Sequence, residues 1–240
     1  MTNWTKEYPT IYADILRKPH VLIAGATGSG KSVLLNGLIG TVCFTGGTLI
    51  LIDPKMVELY QWKDLPCVRC YADTVQKSVA ALKVALRLID ERYKACRMKG
   101  LVKTDASPIY VCIDELADLM TTAKKEVLPL LQRIGQIGRG ANVHLLACTQ
   151  CVNTTVLPTQ LLVNFDCRIC LKTATAHHSR MVIGQSGAEL FPNPCTEGKA
   201  IMWLMMPEGL KKWVIPMIGQ TDIKYLVKGS IAASKRRRYA

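Results

Sequence analysis

The run Gly25-Ala26-Thr27-Gly28-Ser29-Gly30-Lys31-Ser32 constrains this chain more than any other stretch. It lies between an apolar run, Val21-Leu22-Ile23-Ala24, and a helical pattern, Val33-Leu34-Leu35-Asn36-Gly37-Leu38-Ile39. That is G-x-x-x-x-G-K-[ST] in the strand–loop–helix setting that gives the motif its meaning. Glycines let backbone N–H groups turn inward around a phosphate, and the helix N-terminus adds partial positive charge. Lys31 can then reach the β- and γ-phosphates while the Ser32 hydroxyl holds Mg²⁺. Gly25, Ala26, Thr27, Gly28, Ser29, Gly30, Lys31, Ser32 and Val33 are the expected nucleotide cradle.

A phosphate cradle of this kind belongs to an α/β fold, and the rest of the chain agrees. Residues 1–20, with Pro9 and Pro19, read as a lead-in that packs on the domain. The helix after Ser32 is expected to reach about Val42. Thr48 to Asp53 is continuously apolar up to its Asp, as in a strand buried on both faces, and Pro54 closes it. The stretch from there to about Asp73 reads as irregular. A long amphipathic helix begins at Thr74, with Val75, Val79, Leu82, Leu86, Ile89 and Tyr93 at three- and four-residue steps, and Gly100 stops it.

The next strand, Ile109-Tyr110-Val111-Cys112-Ile113, ends in Asp114-Glu115. An apolar strand ending in an acidic pair behind a P-loop is the Walker B pattern. Asp114 would position Mg²⁺ through water, and Glu115 would polarise the attacking water. An N-K-x-D base-reading motif, expected of a GTPase, is absent, so ATP is the expected nucleotide. A helix follows over about Glu126 to Ile137, interrupted by Pro129. Val143 to Gln150 is a further strand, whose Thr149-Gln150 exit can contact the γ-phosphate. Strands near 166–173 and 199–204 complete the pattern, and Pro207-Glu208-Gly209 turns the last into a hairpin partner, Leu210 to Ile218.

The 240 residues suit one α/β domain with a full core. No apolar run is long enough to span a bilayer, and the first residues do not form a signal peptide, so the expected location is the cytoplasm. Ten cysteines there read as reduced thiols. Cys148/Cys151 and Cys167/Cys170 have a nominal zinc-ribbon spacing, but strand positions three apart face opposite ways. Cys67 and Cys70, in a loop, are freer to share a metal. His177-His178 reads as the start of a helix. The net charge of +13 points to a polyanionic partner, and Lys235 to Arg238 read as a mobile basic arm.

From about Asp14 through Trp203 the chain resembles the motor domain of the FtsK/HerA DNA translocases. The resemblance rests on Pro19 to Gly25, on Ile52-Asp53-Pro54-Lys55-Met56-Val57-Glu58-Leu59, and on Glu91-Arg92-Tyr93. It continues through Asp114 to Met120, Thr149-Gln150 and Gln185-Ser186-Gly187-Ala188-Glu189. It implies a RecA-like P-loop NTPase fold, with a mostly parallel central sheet flanked by helices and a C-terminal β-hairpin. It also implies a homo-oligomeric ring, usually a hexamer, around double-stranded DNA, with ATP between subunits and an arginine finger from the neighbour. Arg139 is the favoured finger, because family members carry an Arg just before this strand, and Arg133 is the alternative.

Two departures stand out. Cys151 replaces the Arg that follows the Thr-Gln in cellular members, and Ala176 replaces a Lys shortly before Ser179-Arg180. Those loops face DNA in the family's rings. Arg180, Lys172, Lys124 and Lys125 are the remaining candidates for phosphate contacts. The division expected is a lead-in over 1–20, a motor domain over 21–228 and a basic tail over 229–240. The leading expectation is an ATP-hydrolysing double-stranded DNA translocase, with a possible membrane-bound or DNA-processing partner, from a conjugation, mobile-element or phage system. The rivals are a protein-moving ATPase of a specialised secretion system and a nucleotide-gated adaptor that hydrolyses little.

Overall fold

The computed structural model describes residues 8–192, 194, 199–216 and 227–228. The basic tail, the first seven residues and the end of the expected hairpin lie outside them. One eight-stranded sheet organises the described residues, in the order β3-β2-β4-β5-β1-β6-β7-β8. Its strands are β1 (His20–Ala24), β2 (Thr48–Ile52), β3 (Val68–Ala72), β4 (Ile109–Ile113), β5 (Val143–Thr149), β6 (Cys167–Cys170), β7 (Lys199–Met206) and β8 (Gly209–Pro216). The first six run parallel, and β7 and β8 return antiparallel through a two-residue turn at Pro207-Glu208.

Alternate strand residues feed two apolar layers. Val21, Ile23, Leu49, Leu51, Leu146 and Ile169 pack with α1 (Tyr8–Leu16) and α2 (Lys31–Thr45). Leu22, Ile50, Val111, Leu145 and Ala147 pack with α3 (Val75–Met98), α4 (Leu116–Thr122) and α5 (Lys124–Ile137). Burial of these strands on both faces is what an unbroken apolar strand requires. Helix α2 is itself covered by α1. A Cβ on Gly37 would lie 2.8 Å from the Tyr12 ring, so the glycine lets the two helices approach. Two short helices, α6 (Thr159–Leu162) and α7 (Ala176–Ile183), flank β6.

The layers separate two of the cysteine pairs. Cys148 and Cys167 belong to the α2 layer and Cys151 and Cys170 to the other, so each strand-borne pair is split across the sheet. No cluster of metal-ligating side chains occurs among the described residues. His177 and His178 do lie in the first turn of α7, capped by the Thr175 hydroxyl, which accepts from the His178 N–H.

Three expectations need correcting. The stretch read as irregular contains edge strand β3 and a 3-10 turn at Tyr60–Trp62. Cys70 is therefore in a strand, and the Cys67 sulfur lies 2.9 Å from that of Cys43 on α2. Helix α5 runs through Pro129 without interruption. The carbonyl that loses its partner there belongs to Lys125, which like Pro129 is exposed, so water can serve it. A short separate helix, α4, also precedes α5.

Candidate nucleotide site

The sheet order explains the site. Strand β5 lies between β1 and β4, so Gln150 emerges between the phosphate loop and Asp114-Glu115. All three segments leave the C-terminal edge of the parallel strands, where α/β folds place their ligands. Gly28 and Gly30 have φ of 74° and 98°, conformations that suit glycine. A Cβ on Gly25 would meet the Ser29 hydroxyl at 2.5 Å and the Leu171 side chain at 2.9 Å. The loop is also sewn to both neighbouring strand ends. The Gly25 N–H donates to the Thr149 carbonyl at 3.3 Å and the Ala26 N–H to the Lys172 carbonyl at 2.7 Å.

Lys31 is 7% exposed, and its ammonium donates to the Gly25 and Ala26 carbonyls, each at 2.9 Å. Burial lowers its pKa, and the carboxylates of Glu115, Asp114 and Glu58 pull it back up. Asp114 is pushed up to about 7 by burial and by the charges of Asp53, Glu58 and Glu115, with Lys55 opposing. Glu115 caps α4 by accepting from the Ala117 N–H at 3.1 Å. Its two oxygens also take the Gln150 N–H, at 3.2 and 3.1 Å. The Gln150 side chain accepts from the Thr27 hydroxyl at 2.6 Å.

Lys31, Asp114, Thr27 and Gln150 border a cleft of about 340 Å³ that Ser32, Val33, Lys55, Val57 and Glu58 also line, with Glu115 buried behind it. Across the Thr27–Gln150 contact lies a second hollow of about 230 Å³, walled by Val152, Thr173, Ala174 and His178. The donor set fits a magnesium nucleotide. Positive-φ glycines free the backbone, the buried Ser29 hydroxyl has no hydrogen-bond partner, and the crowded carboxylates around Asp114 suit a cation.

The segment Asp53 to Leu59 holds functional candidates that motif reading leaves without a role. Lys55, Val57 and Glu58 border the cleft, and Lys55 pairs with Asp118 at 3.0 Å. Asp53, fully buried, accepts the Leu59 N–H at 2.9 Å and has its other oxygen without a partner. The available signal is positional: Asp53 and Asp114 follow adjacent parallel strands.

The arginines lie elsewhere. Arg133 is exposed on α5, and Arg139 is exposed at the start of a 3-10 turn before β5. The seven residues of β5, at about 3.3 Å each, put roughly 20 Å between that turn and Gln150. Of the four candidate DNA cations, two are engaged. Lys124 donates to the Thr155 carbonyl at 2.9 Å and Lys172 to the Phe191 carbonyl. Lys125 and Arg180 are exposed. Cys151 is half-buried beside β5, its N–H held by the Thr149 hydroxyl, and Ala176 opens α7.

Cradle, acidic pair and intervening strand define a P-loop ATPase. The chain belongs to the FtsK/SpoIIIE family, whose profile matches residues 7–107 and 99–154. The DNA translocase FtsK of Borreliella burgdorferi is 34% identical over 201 residues, covering 75% of this chain and 25% of that protein. That of Brucella melitensis is 29% identical over 266 residues, covering 91% and 32%. The chain thus spans a quarter to a third of those relatives. Among solved structures, the pCW3 conjugation coupling protein TcpA, in monomer form with ATPγS, superposes with a TM-score of 0.77 at 21% identity, over 90% of this chain and 66% of that one. The cytoplasmic domain of the Thermomonospora curvata Type VII secretion ATPase EccC gives 0.70 at 25% identity, over 88% and 28%. No described helix is long and apolar enough to cross a membrane.

Proposed function

We propose that this chain hydrolyses ATP in a homo-oligomeric, hexameric ring and uses it to move double-stranded DNA, with residues 21–228 as the motor domain. The observation that carries the reading is Gln150, bonded at once to the phosphate loop through its side chain and to Glu115 through its N–H. Lys31 and the loop amides hold the phosphates, with Ser32 and Asp114 as the Mg²⁺ ligand and its water-side partner. The metal would neutralise phosphate charge. Glu115 takes the proton of the attacking water, which requires its carboxylate to leave the Gln150 N–H. Gln150 reads the γ-phosphate. Arg139, or failing it Arg133, reaches the site of the next subunit, because its own lies at the far end of β5.

The net charge of +13 and the names of the translocase relatives support a DNA cargo. The test is ATPase activity with duplex DNA against a peptide control. DNA stimulation that weakens with salt is expected, since log affinity falls with log salt at about −0.9 per phosphate contacted. Restoring two cations, Cys151→Arg with Ala176→Lys, should steepen that slope equally on all sequences. Stimulation by peptide alone would favour the second reading, protein cargo. That reading draws on the engagement of Lys124 and Lys172 with carbonyls, which leaves fewer free cations.

A further inference from the structure

The turn that carries Arg139 is held in an unusual way. Two consecutive residues of α3 spend their polar heads on the carbonyls that flank it. The Arg92 guanidinium donates to the Ala141 carbonyl at 2.7 Å, to that of Asn142 at 3.0 Å and to that of Ser107 at 2.6 Å. The Tyr93 hydroxyl donates to the Ile137 carbonyl at 2.7 Å. Ile137 lies just before Arg139 and Ala141 just after it, so the turn is gripped on both sides.

The backbone between those points has little room to adjust. A Cβ on Gly140 would lie 2.6 Å from the Tyr93 hydroxyl, and one on Gly138 would lie 2.4 Å from the Val143 carbonyl. Asn142 has φ of 53°, and its side-chain amide donates to the Ala106 carbonyl at 2.8 Å. The Arg139 side chain, by contrast, is exposed and makes no hydrogen bond or ion pair among the described residues. A fixed backbone beneath an unengaged guanidinium is what a group aimed outside its own subunit requires. An Arg placed only to seal the loop would instead be tied back to it.

We propose that Arg92 and Tyr93 are positioning residues for Arg139, fixing the turn so that its guanidinium meets the nucleotide of the neighbouring subunit. This rests on the reading of Arg139 as the finger. Arg92 suits the role because its fork can serve three carbonyls at once, which a lysine ammonium cannot do in the same plane.

The test compares Arg92→Gln, Arg92→Lys, Tyr93→Phe and Arg139→Ala in the full chain. The readouts are kcat, KM, affinity for a fluorescent ATP analogue and the melting temperature. A misplacement of about 1 Å can cost about 10²-fold in rate, so Arg92→Gln should lose about that in kcat and Tyr93→Phe about tenfold. KM and nucleotide affinity should stay at parent values, and Arg92→Lys should recover part of the loss. Adding Arg92→Gln to Arg139→Ala should slow the enzyme no further, because both act through one guanidinium. If Arg92→Gln fails to fold, Tyr93→Phe decides alone. A slow Arg139→Ala beside parent-like Arg92→Gln and Tyr93→Phe overturns the positioning role only, as do losses that add. Parent-like turnover of Arg139→Ala overturns the finger reading and the positioning role with it.

Discussion

The two ends of β5 are built on opposite plans. At the C-terminal end most polar groups of the site are spent on one another. Lys31 holds the loop's own carbonyls, Thr27 holds Gln150, Glu115 holds backbone N–H groups, and Lys55 holds Asp118. At the N-terminal end, α3 holds the backbone and leaves the Arg139 head unengaged among the described residues. The first arrangement must exchange partners when a nucleotide enters. The second needs no exchange, so its ordering cost is met on folding and not on binding. On the proposed reading, one end is a receiver that reorganises and the other a donor already set.

The largest effect should come from breaking the donor end. Arg139→Ala should lower turnover by about 10³–10⁵, the range for arginine fingers, with nucleotide affinity unchanged. Mixed with Lys31→Ala protein, it should regain some activity, since mixed rings contain interfaces with both groups intact. No rescue in rings shown to mix would move the role to Arg133.

At the receiving end, Glu115→Gln should lose about 10²–10⁴ in turnover, the worth of a general base, while still binding ATP. Single-turnover hydrolysis at the parent rate would remove Glu115 from the chemistry. Lys31→Ala should weaken nucleotide binding itself, read by the same titration.

The smallest effect concerns the ligand-free receiver. Asp114 titrates near 7, above its ordinary value of 3.8, so between those values the folded chain holds a proton the unfolded chain lacks. Its contribution to stability therefore falls as pH rises towards 7 and stays low above it. His20 and His144 work the other way, since burial lowers both and acid destabilises them. Parent and variant must be compared at each pH. Asp114→Asn should raise the melting temperature at pH 8, by about 2–4 °C per kcal/mol relieved, and should leave it unchanged near pH 4. An equal shift at both values would mean that charge crowding is not the cause.

The receiver was far more legible in the sequence than the donor. Its strands are unbroken apolar runs, and its loop chemistry is local, so spacing alone places Lys31, Asp114 and Gln150 at one edge. Strand β3 escapes because it is an edge strand whose residues are mostly half-exposed, with Arg69 pointing to solvent. Pro129 misleads because its cost depends on whether water reaches the orphaned carbonyl, which only the fold decides. Helix α1 hides behind Pro9, although Tyr12, Ile15 and Leu16 keep a helical step and are buried. The clamp by Arg92 and Tyr93 joins residues more than forty positions apart, and no local pattern encodes such a pairing. Likewise Glu58 and Lys55 reach the cleft only because β2 and β4 are neighbours.

The stitching of the phosphate loop to the ends of β5 and β6 gives the molecule a direct mechanical train. With Gly25 fastened to Thr149 and Ala26 to Lys172, the loop has no slack against either strand. A displacement of the cradle would bear directly on the segments that begin at Gln150 and Thr173. Those segments lead to Cys151 and Ala176, the two departures that the resemblance marks in loops expected to face DNA. Under the proposed DNA-moving role, the loop keeps its coupling to those segments while two of the expected phosphate contacts are absent from them.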